Sequence, residues 1–141
     1  MRDFPHARAV AFDGPLAVLM PGAGTGQHPL SVAESYENAN VTAVDLSRAS
    51  LAYGKRMAMA HGIANVEYHA ANLAEDVSIY PWARQTYDKI LLDPPRSGCS
   101  DTVIKQLTAA APTNVLYISC HPVNLARDLR TLIAAVPDYR I

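Results

Sequence analysis

Leu19-Met20-Pro21-Gly22-Ala23-Gly24-Thr25-Gly26-Gln27-His28-Pro29 is the stretch on which the fold of this chain turns. An apolar run over residues 16–20 meets three glycines on alternate positions, and a segment of helical character follows. The implied order is strand, turn, helix. Glycine lets the backbone take positive φ and lets a ligand approach with no Cβ in the way. The helix start then directs free N–H groups and a positive dipole end at that ligand. The dinucleotide fingerprint G-x-G-x-x-G is not met, because Gln27 and Pro29 stand where its third glycine could fall. The pattern is G-x-G-x-G. A plain glycine turn between any strand and helix is the alternative, so the rest of the chain must decide.

The 141 residues suffice for one domain with a real core. Half are apolar and 18% are charged, a globular composition. A net charge of −1 gives no electrostatic case for strong nucleic-acid binding. No apolar run approaches membrane-spanning length, and Met1-Arg2-Asp3-Phe4-Pro5 lacks the apolar core of a signal peptide. Cys99 and Cys120 are too few and too oddly placed for a disulfide framework or a zinc site, so the expected location is a reducing cytosol.

Residues 1–15, with Pro5, Gly14 and Pro15, read as a lead-in segment, and the domain as residues 16–141. After the first strand, Pro29 falls in the opening turn of a helix, where its missing N–H costs nothing. That helix runs to about Tyr36, and Glu37, Asn38 and Asn40 mark a turn. A second strand over 41–45 ends in Asp45. Ser47 caps a helix over 48–61, closed by Gly62. A short third strand covers 65–69, Asn72 follows in a loop, and a short helix around 74–84 is interrupted by Pro81. The fourth strand, 87–93, runs continuously apolar into Asp93, as buried parallel strands do. A helix follows over 101–110, a fifth strand over 114–119, and a last helix from Pro122 to about Val136. Tyr139-Arg140-Ile141 could begin a sixth strand. Strands alternating with helices imply a parallel α/β sheet with right-handed crossovers. Ligands bind such sheets at the carboxyl ends of the strands, and the notable residues fall there.

Asp45 lies about 20 residues past the glycine loop, the spacing of an acid that accepts from ribose hydroxyls; the plain alternative is a capping Asp before Ser47. Asn72 could meet an adenine edge with its donor and acceptor, or simply make an Asx-turn. Asp93-Pro94-Pro95-Arg96 stiffens the loop after strand four and sets Asp93 beside cofactor and substrate; a tight turn explains the prolines but not the acid. Cys120, near the start of the last helix, could be a nucleophile or a small buried hydrophobe.

The glycine loop resembles motif I of class I S-adenosylmethionine (SAM) methyltransferases, which wraps the amino-acid end of SAM. Three stretches resemble the catalytic domain of bacterial RNA uracil-C5 methyltransferases, which make 5-methyluridine in tRNA and rRNA. The first is Asn72-Leu73 with Glu75-Asp76-Val77 and Pro81-Trp82-Ala83. The second runs from Tyr87-Asp88-Lys89 through Asp93-Pro94-Pro95-Arg96-Ser97-Gly98. The third is Tyr117-Ile118-Ser119-Cys120-His121-Pro122 with Leu125-Ala126-Arg127-Asp128. The first half, through Gly22-Ala23-Gly24-Thr25-Gly26-Gln27-His28-Pro29 and Val44-Asp45-Leu46-Ser47-Arg48-Ala49-Ser50-Leu51-Ala52-Tyr53, is similar to methyltransferase domains attached to tetratricopeptide repeats. The chain therefore reads as a mosaic of two branches of one fold, as a chimera would.

The resemblance implies a doubly wound, Rossmann-like α/β domain with strand order 3-2-1-4-5 and with the fold's sixth and seventh strands missing. It implies SAM as cofactor, held by Gly22, Gly24, Gly26, Gln27, Asp45, Asn72 and Asp93, and Cys120 as the nucleophile. In the implied mechanism a thiolate adds to carbon 6 of uracil, carbon 5 is methylated, and a base removes the carbon-5 proton. His121 stands where the family has Asn, and Met20 where motif I commonly has an acid. The family's general-base glutamate and its RNA-binding OB-like domain fall outside the matched residues. RNA is the implied partner, weakly supported by charge, and an exposed fifth strand would favour a homodimer. Two other readings stay open. One is an amino-group methyltransferase using the Asp93-Pro94-Pro95 loop, with Arg96 where an aromatic belongs. The other is a non-catalytic SAM-binding scaffold.

Overall fold

Leu16–Pro21 forms β1, and its side chains alternate between two cores as a strand's period of two requires. Leu16, Val18 and Met20 pack into one apolar cluster with Ala33 and Val41. Leu19 points the other way, into a cluster with Trp82, Ile90, Leu92 and Leu107. A strand buried on both faces belongs in the middle of a sheet. The computed structural model describes residues 14–110 and 112–140, and there β1 is the central strand of five. The lead-in expected over 1–15 thus lies outside the described residues up to residue 13.

The elements run β1, α1 (Gln27–Ser35), β2 (Ala39–Asp45), α2 (Arg48–Ala60), β3 (Val66–Ala70), a single 3₁₀ turn (Pro81–Arg84), β4 (Lys89–Leu92), α3 (Asp101–Ala109), β5 (Asn114–Tyr117) and α4 (Pro122–Ala135). The sheet order is β3-β2-β1-β4-β5, and each neighbouring pair is parallel. This is the doubly wound Rossmann-like order expected. Ser47 caps α2 by accepting from Ser50 N, and Ser100 caps α3 by accepting from Val103 N. No helix among the described residues is long and apolar enough to cross a membrane.

Four local expectations change. No helix forms over 74–80, because side chains take the backbone groups a helix would use. Asn72 Oδ1 accepts from Ala74 N at 3.1 Å and Asp76 Oδ1 accepts from Ser78 N at 2.8 Å, two successive Asx-turns. Asn40 lies in β2 and not in a turn, since pairing with β1 carries the strand back to Ala39. β4 is shorter than 87–93: the Asp88 side chain accepts from Ala17 N at 2.8 Å, and Pro94 and Pro95 follow Asp93 without N–H groups. The sixth strand foreseen at 139 is absent among the described residues; Tyr139 N bonds Val136 O in a turn, and its hydroxyl donates to Pro112 O.

Candidate cofactor cleft

The glycine loop leaves β1 sharply. Gly22, Gly24 and Gly26 take φ of 76°, 56° and 86°, the left-handed region that favours glycine. Gly22 N and Ala23 N both donate to Val44 O, which fastens the loop to the end of β2. Asp45, the last residue of β2, completes the attachment. Its Oδ2 accepts from Gly24 N at 2.8 Å and its Oδ1 from Ser47 N at 2.7 Å. The one carboxylate thus holds the loop at Gly24 and the N–H of Ser47, the residue that caps α2.

A polar cleft of about 190 Å³ opens above β1, lined by Met20, residues 21–25, Gln27, His28, Leu91 and Asp93. A Cβ added to Gly24 would project into open space, whereas one on Gly22 would approach Asp93 O at 3.9 Å. Across the cleft, His28 Nδ1 lies 3.7 Å from Asp93 Oδ2, with both side chains about half exposed.

Of the expected site residues, Gly22, Gly24, Gln27 and Asp93 line this cleft, and Asp45 touches it through Gly24. Gly26 does not line it. It is buried, and a Cβ there would stand 3.0 Å from Gly54 Cα, so its role in the structure is close packing of α1 on α2. Asn72 makes an Asx-turn and donates to Glu75 Oε1 at 2.9 Å, and it does not line the cleft. Cys120 is exposed after β5, one strand over from Asp93. His121, the next residue, caps α4: its Nδ1 accepts from Asn124 N at 3.3 Å.

Sequence reasoning missed a second group, between α4 and the loop that follows β4. Asp128, on α4, is 1% exposed. Its carboxylate accepts from Tyr117 Oη at 2.5 Å, Cys99 N at 2.7 Å and Arg127 Nε at 2.8 Å. Burial pushes this carboxyl up, but the three donors and the Arg127 charge outweigh it and hold it below the usual carboxylate value. Burial first, and then the bond to Asp128, push the Tyr117 hydroxyl far up. Burial likewise raises the Cys99 thiol. The Arg127-Asp128 pair was visible in the sequence, but only the fold carries it to Cys99.

A model of a methyltransferase domain matches residues 13–138. The 23S rRNA (uracil(1939)-C(5))-methyltransferase RlmD of Pectobacterium atrosepticum is 40% identical over 118 residues, 84% of this chain and 25% of its own length. The enzyme of the same name from Alcanivorax borkumensis is 42% identical over 94 residues, 67% of this chain and 21% of its own. The chain therefore spans about a quarter of the curated relatives it matches. A match of 118 residues also extends well into the half before Asn72. Among solved structures, PKMT2 from Rickettsia typhi in complex with AdoHcy superposes with a TM-score of 0.58 at 27% identity, covering 67% of this chain and 18% of that one.

Proposed function

The chain belongs to the methyltransferase-domain family, and on that premise we propose that it is a SAM-dependent methyltransferase domain acting on carbon 5 of uridine in RNA. The observation that carries the cofactor assignment is the glycine loop fastened to Asp45 and facing Asp93 across one cleft. The residues fit SAM. Gly24 leaves open space where a side chain would stand. The start of α1 adds free N–H groups for a carboxylate. Asp45 and Asp93 add carboxylates for hydroxyl and ammonium donors. SAM, when bound, supplies the methyl group.

The uracil reading is supported by the two RlmD relatives and by an exposed cysteine in the matching Ile118-Ser119-Cys120-His121-Pro122 stretch. The part assigned to Cys120 is covalent. Its thiolate adds to carbon 6 of the uracil, which makes carbon 5 nucleophilic; once carbon 5 carries the methyl group, a base takes its proton and the thiolate leaves by elimination. Free uracil is too poor a nucleophile at carbon 5 to react without such an adduct.

Calorimetry with SAM, then incubation with 5-fluorouridine RNA and SAM and denaturing electrophoresis, tests both levels. The expected result is SAM binding and a protein–RNA adduct that is lost in Cys120→Ala. SAM binding without any adduct from RNA-bound protein would leave Cys120 structural. Methyl transfer to an amine would favour the amino-group reading of Asp93-Pro94-Pro95.

A further inference from the structure

Three residues on one face of α4 hold the backbone that follows β4. Asn124, Arg127 and Asp128 stand at i, i+3 and i+4, the spacing that shares a helix face. Asn124 Nδ2 donates to Arg96 O at 2.7 Å. Arg127 Nη2 donates to Ser97 O at 2.9 Å and to Cys99 O at 3.3 Å. The buried Asp128 carboxylate accepts from Cys99 N at 2.7 Å. Gly98, at φ 81°, makes the approach feasible, since a Cβ there would fall 2.5 Å from Asp128 Oδ2 and 2.6 Å from Arg127 Nη2.

We propose that this face of α4 is a clamp that positions Asp93 at the glycine cleft. The inference rests on the assignment of that cleft to SAM. The linkage between clamp and acid is short and stiff. Gly98 N donates to Pro95 O at 2.8 Å, closing a turn that ties the clamped residues to the two prolines. Each proline ring fixes its own φ, so few soft torsions separate Arg96 from Asp93. A shift at Arg96 is therefore carried to the Asp93 carboxylate, which lines the cleft opposite the glycine loop. Asn124, Arg127 and Asp128 act through Asp93 and are positioning residues.

A double-mutant cycle on the full chain tests this, with SAM affinity by calorimetry as readout and thermal melting as the control for folding. Arg127→Ala is expected to weaken SAM binding about three- to tenfold, the scale of one ordinary hydrogen bond lost or misplaced. Asn124→Ala, which removes only the Arg96 contact, should show a smaller loss and serves if Arg127→Ala does not fold. Arg127→Lys keeps the charge without the fork of donors and should restore affinity in part. The decisive arm is the Asp93→Ala background, where Arg127→Ala should have little further effect. An undiminished loss there overturns the clamp, as does unchanged affinity in folded Arg127→Ala and Asn124→Ala. A folded wild type that binds no SAM overturns the cofactor assignment itself, and the clamp's role falls with it.

Discussion

Asp45 joins two backbone segments with one side chain, and that is why its loss should be felt at the cofactor. The Gly24 N–H would be left to water or to an altered loop, and Ser47 N would lose its acceptor at the start of α2. Hydrogen bonds to charged acceptors are worth about 1.5–3 kcal/mol each at most. Asp45→Ala is expected to weaken SAM binding at least tenfold, measured by calorimetry, while the melting temperature falls only modestly. Asp128 belongs to the same scale with a different readout. Its carboxyl is held below the usual value in the folded protein by the Tyr117, Cys99 and Arg127 donors, which outweigh the opposing effect of burial. A depressed native value means that its stabilisation is present above the unfolded-state value of about 3.9 and is lost as pH falls through the lower native value. Wild-type stability should therefore drop steeply below about pH 4. Asp128→Asn should be less stable at pH 7 by about 1–3 kcal/mol and show a shallower acid slope. Urea unfolding over a pH series checks both.

At the scale of elements, the contact of α1 with α2 determines where the glycine loop can sit. Gly54 lies inside α2, and a Cβ on it would meet Tyr68 Cε1 at 3.0 Å and Thr25 O at 3.2 Å. Helix propensity alone favours alanine over glycine by about 1 kcal/mol. Overpacking of a close contact costs about 1–3 kcal/mol and here exceeds that gain, because one neighbour is loop backbone. Gly54→Ala is expected to destabilise the protein by about 1 kcal/mol in urea unfolding. It should also weaken SAM binding, since Thr25 is part of the cleft wall. A more stable Gly54→Ala with full SAM affinity would mean that the contact relaxes freely.

For the whole molecule, the two edges of the sheet differ. β3 pairs only with β2 and β5 only with β4 among the described residues, but β3 has no strongly exposed large apolar side chain whereas β5 carries Leu116 at 58% exposure. Ile118, just beyond it, is 39% exposed. An open, apolar strand edge is a template for another strand, and a net charge of −1 offers little repulsion between copies. Sedimentation velocity is expected to show concentration-dependent self-association that Leu116→Lys reduces. A monomer at every concentration would mean that the edge is covered in another way.

The order of strands and helices was legible in the sequence, because burial imprints it directly. Leu16 to Met20 and Ile90 to Leu92 are continuous apolar runs since both faces of a central strand are covered. The parallel order β3-β2-β1-β4-β5 followed from the resemblance, and the placement of Gly22, Gly24, Asp45 and Asp93 at strand ends from spacing along the chain. What pairing and packing decide was not legible there. Asn40 has the composition of a turn but is held in β2 by β1. Residues 74–80 open with two good helix formers, Ala74 and Glu75, yet the local bonds of Asn72 and Asp76 win. Gly54 had no signal of its own, and Asp128 stood in a matching stretch with nothing to mark it as buried. Gly54 matters because Tyr68 and Thr25 are brought against it, and Asp128 is buried because the fold places Cys99 N and Tyr117 Oη within reach. Local chemistry is written along the chain, whereas contacts between residues tens of positions apart exist only after the strands have paired.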